Sequence, residues 1–293
     1  MKPFIWVDAY TETRFGGNPC AVVFDADDLS VDERIAFVRE TGLVECAYVV
    51  ASDRADFGAR FYMATEEIPL AGHPTVATVA ALEAAGRLDL SSGPRTFTME
   101  MGAGVVEIEA TPRDGRPTLV TMTHPRPVFG RSWSAEEIAA LYGLDAAAVV
   151  GTPRTVSSGT PYCVTRLASL EALRAAKLDA EALTRFLAER EADFMEPFLC
   201  VTEGATEAGH TFARLLMAPP LPPEDPFTGS ATGVMAAYLF AEGAVGRRFV
   251  AEQGHDLGRP GRAEVEVIGA PDAVEAVKVG GAGVVVMRGE VDL

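Results

Sequence analysis

Glu45, in Leu43-Val-Glu-Cys-Ala-Tyr-Val-Val50, is a lone carboxylate among apolar neighbours and the first residue suited to acid–base work. Desolvation disfavours the charged form of a carboxyl, so such a group moves toward the range where it both takes and returns a proton. The plain alternative is an outward-facing strand residue. Glu196, in Met195-Glu-Pro-Phe-Leu-Cys-Val201, is a rival base in the second half of the chain. His73 and Ser230 form a second pair, each one residue after a glycine (Gly72 and Gly229) and each heading a run of small and apolar residues. As ordinary structure they are a backbone-bonded histidine and a helix N-cap. Asp225 precedes the second run where the first run has Ile68. It is either a helix-entry residue or the acid that makes two sides of a site unlike.

These residues sit in a stretch the chain contains twice. Pro69–Leu88 (PLAGHPTVATVAALEAAGRL) and Pro226–Val245 (PFTGSATGVMAAYLFAEGAV) agree at seven of twenty positions at a constant offset of 157. The offset also pairs Glu67 with Glu224 and Gly104-Val-Val-Glu-Ile-Glu109 with Gly261-Arg-Ala-Glu-Val-Glu266. Two copies at that spacing are a duplicated half rather than a solenoid, whose period is roughly 20–50 residues. Each copy opens on a Gly-rich turn, runs at helical spacing with almost no polar surface, and closes at Gly86 or Gly243, where a helix end favours φ > 0. Both helices are therefore expected to be buried. Their first backbone N–H groups still need partners, and a small anion suits them. The expectation is that both N-termini serve one ligand lying between the halves.

The elements that position these residues are short. Strands are expected at Phe4–Val7, Cys20–Phe24, Val44–Val50 (with Glu45 inside it) and Ala59–Met63, and a hairpin at Thr96–Met101 and Val105–Ala110. Ser30 and Glu33 form a capping box for a helix over Val31–Thr41. In the second half, helices are expected near Ala135–Tyr142 and Leu170–Glu191, and closing strands at Val265–Ile268, Ala276–Val279 and Val284–Met287. Many short strands around one apolar helix per half give an α+β fold of two pseudo-symmetric, barrel-like halves. The joint falls near Thr111–Leu119, so the halves are 1–115 and 116–293.

Composition narrows the function. A net charge of −17 opposes nucleic acid or anionic membranes as partners. No run of 18 apolar residues occurs, the N-terminus reads as a strand rather than a signal peptide, and the four cysteines are scattered. Reduced thiols in a cytoplasm are the default. There is no GxxxxGK[ST] loop and no HExxH, while Gly102-Ala-Gly104 and Gly281-Ala-Gly283 precede strands rather than helices. With four histidines and no ligand spacing, neither a metal nor a cofactor is expected.

Phe15-Gly-Gly-Asn-Pro-Cys-Ala-Val-Val23, Val44-Glu45, Pro69-Leu-Ala-Gly-His-Pro-Thr75, Glu224-Asp-Pro-Phe-Thr-Gly-Ser-Ala231 and Gln253-Gly-His-Asp-Leu-Gly-Arg-Pro260 together resemble the phenazine-biosynthesis PhzF-like family, of the diaminopimelate-epimerase-like fold. The resemblance covers almost the whole chain. It implies a site between two domains, each a barrel-like sheet around a central helix, with the last strand returning to the first domain. It also implies a homodimer and an isomerase that moves a proton on a small carboxylic acid without a cofactor. On that resemblance the base is Glu45, the polar substrate contacts are His73, Asp225 and Ser230, and the carboxylate cradle is the pair of turns at Gly72 and Gly229. Racemases of the wider fold carry a cysteine just before each glycine; Ala71 and Thr228 stand there, so two-thiol racemisation is disfavoured. Cys46-Ala47 replaces the hydroxyl residues often found beside the base, which bears on the substrate. Two rivals remain. A serine hydrolase would use His73, Asp225 and Ser230, against which Gly229-Ser-Ala-Thr-Gly233 is not G-x-S-x-G. A catalytically degenerate relative would simply bind a carboxylate.

Overall fold

The computed structural model describes residues 1–293. The chain divides into two compact units, one made of Met1–Thr123 with Gly258–Gly261 and Gly280–Leu293, the other of His124–Leu257 with Arg262–Val279.

The first unit runs β1 (Lys2–Ala9), β2 (Asn18–Val23), α1 (Val31–Thr41), β3 (Cys46–Val50), β4 (Phe57–Tyr62), β5 (Glu67–Ile68), α2 (Gly72–Ala84), β6 (Arg95–Met101), β7 (Gly104–Arg113) and β8 (Arg116–His124, whose last residue opens the second unit). Strand β2 lies antiparallel to β1 and parallel to β3; β4 pairs antiparallel with β3 and β5 and parallel with β6. Helix α2 packs against β1, β2 and β3, and every residue from His73 to Leu82 is buried, as its largely apolar sequence demands, with the Thr75 and Thr78 hydroxyls bonded to carbonyls one turn back. Helix α1 covers another face, where Phe37 and Val38 join Leu29, Tyr48 and Tyr62. Its start is the expected capping box: Ser30 Oγ accepts from Glu33 N while Ser30 N donates to Glu33 Oε2.

The second unit repeats this order. After β9 (Val128–Ser132), α3 (Ala135–Ala140), β10 (Arg154–Ser157) and β11 (Pro161–Arg166) come α4 (Leu170–Ala175), α5 (Ala180–Glu189), β12 (Pro197–Val201), β13 (Thr211–Leu216) and β14 (Glu224–Asp225). Then follow α6 (Gly229–Ala241), β15 (Arg248–Gln253), β16 (Gly261–Ala270, whose first residue belongs to the first unit) and the long β17 (Ala273–Val291), which belongs to the first unit from Gly280 on. Strand β11 is parallel to β12, while β13 is antiparallel to β12 and β14 and parallel to β15, the pairing pattern of β2 to β6. Helix α6 is buried from Ala231 to Phe240 and packs on β10, β11 and β12. Arg60 pairs with Glu67 at 3.7 Å in the first unit, and Arg214 with Glu224 at 2.7 Å in the second, so even this ion pair is duplicated.

Three expected elements differ. Glu45 lies just before β3, not inside it. The helix expected over Leu170–Glu191 is two: Ala176 is extended (ψ 129), Asp179 caps α5, and Arg214 Nη1 donates to the Leu173 and Ala176 carbonyls at 2.9 and 3.3 Å. The two last strands are one, β17. Gly281 and Gly283 lie within it rather than ahead of it, because a Cβ at Gly283 would fall 2.7 Å from Ala80 Cβ of α2. The stretch expected as a joint contains the β7–β8 hairpin, turned at Asp114-Gly115.

Candidate active site

Both buried helices begin without a side-chain cap. Ala71, the N-cap of α2, has no polar atom to offer, and the side chain of Thr228, the N-cap of α6, does not bond its helix. The first N–H groups of each helix are thus left to other partners, at the positive end of the dipole.

In the first unit, His73 follows Gly72 in the first turn of α2 and is 4 % exposed. Its Nδ1 lies 3.1 Å from Asn18 Nδ2 and 3.6 Å from Glu45 Oε2. Burial pushes His73 down to about 3, so the imidazole is neutral at neutral pH and its contact with Glu45 is not an ion pair. Its Nε2 is buried with no hydrogen-bond partner in the protein. The Glu45 side chain is 17 % exposed, which leaves it both shielded and reachable. The structure therefore brings Glu45, His73 and Gly72 together and adds Asn18, quoted in the sequence motif without a role. Asn18 is fully buried at the start of β2, and the preceding loop is pinned. Arg259 donates to the Gly16 and Gly17 carbonyls at 2.8 and 2.9 Å and to Asp8 at 2.7 Å, and Gly17 N donates to Pro260 O at 3.0 Å. Cys46 points its sulfur at Thr41 Oγ1 of α1, 3.7 Å away, and burial pushes the thiol up to about 12.

In the second unit, Asp225 ends β14 and is 4 % exposed. Its Oδ2 accepts from Thr228 Oγ1 at 2.6 Å. Gln253, at the end of β15 and 1 % exposed, completes the turn: its Oε1 accepts from Thr228 N at 3.0 Å, and its Nε2 donates to Asp225 O at 2.8 Å and to Thr228 Oγ1 at 3.2 Å. Because a backbone N–H can only donate and a carbonyl only accept, the direction of each bond is fixed, and the Thr228 hydroxyl proton faces the carboxylate. Ser230, after Gly229, shares a 2.9 Å hydrogen bond with Tyr162 Oη. Glu196 precedes β12 as Glu45 precedes β3, and burial raises it to about 6.

The strand registers align the two turns position by position. Asp225, Thr228 and Gln253 of the second unit correspond to Ile68, Ala71 and Met101 of the first. One copy of the scaffold thus carries a hydrogen-bonded polar triad where the other is apolar. Thr228 and Gln253 escaped assignment in the sequence because nothing local marks a hydrogen bond between residues 25 apart.

A family described as phenazine biosynthesis-like protein matches residues 7–289. The chain belongs to that family. The resemblance read from the motifs thus holds over nearly the whole length. Among its relatives, a trans-2,3-dihydro-3-hydroxyanthranilate isomerase of Pseudomonas aeruginosa is 30% identical over 292 residues, covering 99% of each chain. The crystal structure of a PhzF-family protein from Bacillus anthracis superposes with a TM-score of 0.87 at 27% identity, covering 100% of this chain and 99% of that one. A hydroxyproline epimerase from Agrobacterium vitis shares the fold alone, with a TM-score of 0.65 at 15% identity, over 98% of this chain and 91% of that one. The expected α+β, epimerase-like fold is the one observed, and the chain is an isomerase. No helix is long and apolar enough to cross a membrane.

Proposed function

We propose that this isomerase moves a proton within a small carboxylic acid without a cofactor, with Glu45 as both acid and base. The observation that carries the reading is a shielded carboxylate 3.6 Å from a neutral imidazole at the uncapped start of a buried helix. Glu45 takes a proton from an acidic C–H, and the electron pair passes into the conjugated system of the substrate. The N–H groups at Gly72 and His73 stabilise the charge that develops there. Glu45, whose carboxyl proton exchanges with solvent while it is held, then delivers a proton at another carbon, so the substrate loses one proton and gains one. His73 holds a hydroxyl or amino group of the substrate. In the second unit Asp225, as an acceptor, suits a substrate amine or hydroxyl, and Gly229 and Ser230 offer donors to a carboxylate.

The Pseudomonas aeruginosa relative takes its name from trans-2,3-dihydro-3-hydroxyanthranilate. That molecule bears a carboxylate, an amine and a hydroxyl, and is the first substrate to try. The test is deuterium uptake from heavy water by wild type and Glu45→Gln. Wild type should exchange and isomerise, and the variant should lose at least about a hundredfold. Equal exchange in both would sink the assignment. The hydrolase reading has no support at Ser230, whose hydroxyl bonds Tyr162 and no histidine.

A further inference from the structure

We propose that Asn18 fixes His73 as its Nε2–H tautomer, which makes the head of α2 a site for an oxygen acceptor and not for an amine. The inference rests on the reading of His73 as a substrate contact and goes beyond it by stating which atom the ligand must present. Two groups face Nδ1. Asn18 Nδ2 is within hydrogen-bond reach at 3.1 Å, whereas Glu45 Oε2 at 3.6 Å is beyond it. A neutral imidazole carries one proton, and a ring nitrogen that accepts cannot hold it, so the proton resides on Nε2. That N–H is buried and has no acceptor within the protein. An unmatched buried donor costs free energy until something accepts from it, and a carboxylate, carbonyl or hydroxyl oxygen does so where an ammonium only repels.

The backbone leaves Asn18 little freedom to do otherwise. Asn18 pairs with Ala9 across β1 and β2, and Gly17 before it holds φ +51, with a Cβ there only 2.0 Å from the Ala9 carbonyl oxygen. Glu45 acts in the opposite sense, since a carboxylate near Nδ1 draws a proton to that nitrogen. Asn18 is thus a positioning residue: it decides between two tautomers that the remaining surroundings would set the other way.

The measurement is long-range 1H–15N NMR of the 15N-labelled full chain at neutral pH, with His73 assigned by comparison with His73→Gln. Wild type should show a protonated Nε2 and a bare Nδ1; a protonated Nδ1 overturns the proposal. In Asn18→Leu the proton should redistribute toward Nδ1, and in Asn18→Asp Nδ1 should be protonated. An unchanged tautomer in a folded Asn18→Leu overturns it as well. Should that variant not fold, the wild-type spectrum decides by itself. Lack of turnover by wild type would count against the isomerase reading and leave the tautomer result standing, so the two fail separately.

Discussion

Replacing Gln253 by methionine, the residue at the matching position of the first unit, tests the polar turn of the second most directly. The side chain is 1 % exposed, and no solvent can replace its bonds. The change strands the Thr228 N–H, now 3.0 Å from the amide, at about 1–3 kcal/mol, and breaks the 2.8 Å bond to the Asp225 carbonyl, at about 1 kcal/mol. The third bond, to Thr228 Oγ1, goes as well, and methionine recovers about 1 kcal/mol through its apolar surface. The net loss is about 2–5 kcal/mol. In a unit of this size each kcal/mol moves the transition by about 2–4 °C, so the Tm of the second unit should drop by about 4–20 °C. Differential scanning calorimetry reads it. A Gln253→Met protein melting within about 2 °C of wild type would show that the turn does not depend on this amide.

With Glu45 as the proposed base, Glu196→Gln should leave solvent exchange within about twofold of wild type; a hundredfold loss would reverse the roles. His73 and His124 are held neutral by burial, at about 3 and about 4, below their ordinary value of 6.5. Their contribution is therefore complete above pH 6.5 and is lost as pH falls through 4 and toward 3, on the order of 3 kcal/mol for His124. Urea titrations between pH 7 and 4 should show the decline, and His124→Asn should flatten its upper part. Gly233→Ala gains about 1 kcal/mol of helix propensity, but its Cβ would lie 2.5 Å from His124 Nδ1, so the net effect should be a loss of about 1–2 kcal/mol. In a His124→Ala background the same change should become neutral or stabilising, which calorimetry can read.

How much of this could be read from the sequence depended on how local each signal was. Ser30 and Glu33 mark α1 because a capping box is complete within four residues. Helices α2 and α6 announce themselves by apolar runs ended at Gly86 and Gly243, which take φ 69 and 68. The α4–α5 break was hidden because apolar spacing continues across it, and Arg214, which holds the broken end, comes from a distant strand. The glycines of β17 read as interruptions, whereas Gly283 lets the strand cross α2 closely and Gly281 makes room for the Tyr10 ring. Glu45 and His73 could be singled out by type and surroundings. Asn18 could not, since its partner is 55 residues away, and neither could Gln253.

Strand β1 borders β17 from Lys2 opposite Val291 to Ala9 opposite Gly283. On the ribosome this leaves one edge of the earliest strand without its neighbour while the whole second unit is being synthesised. Open edges of that kind invite pairing with other chains. A nascent chain stalled before Gly280 should accordingly keep β1 open to proteases and chaperones, however well α2 is already wrapped.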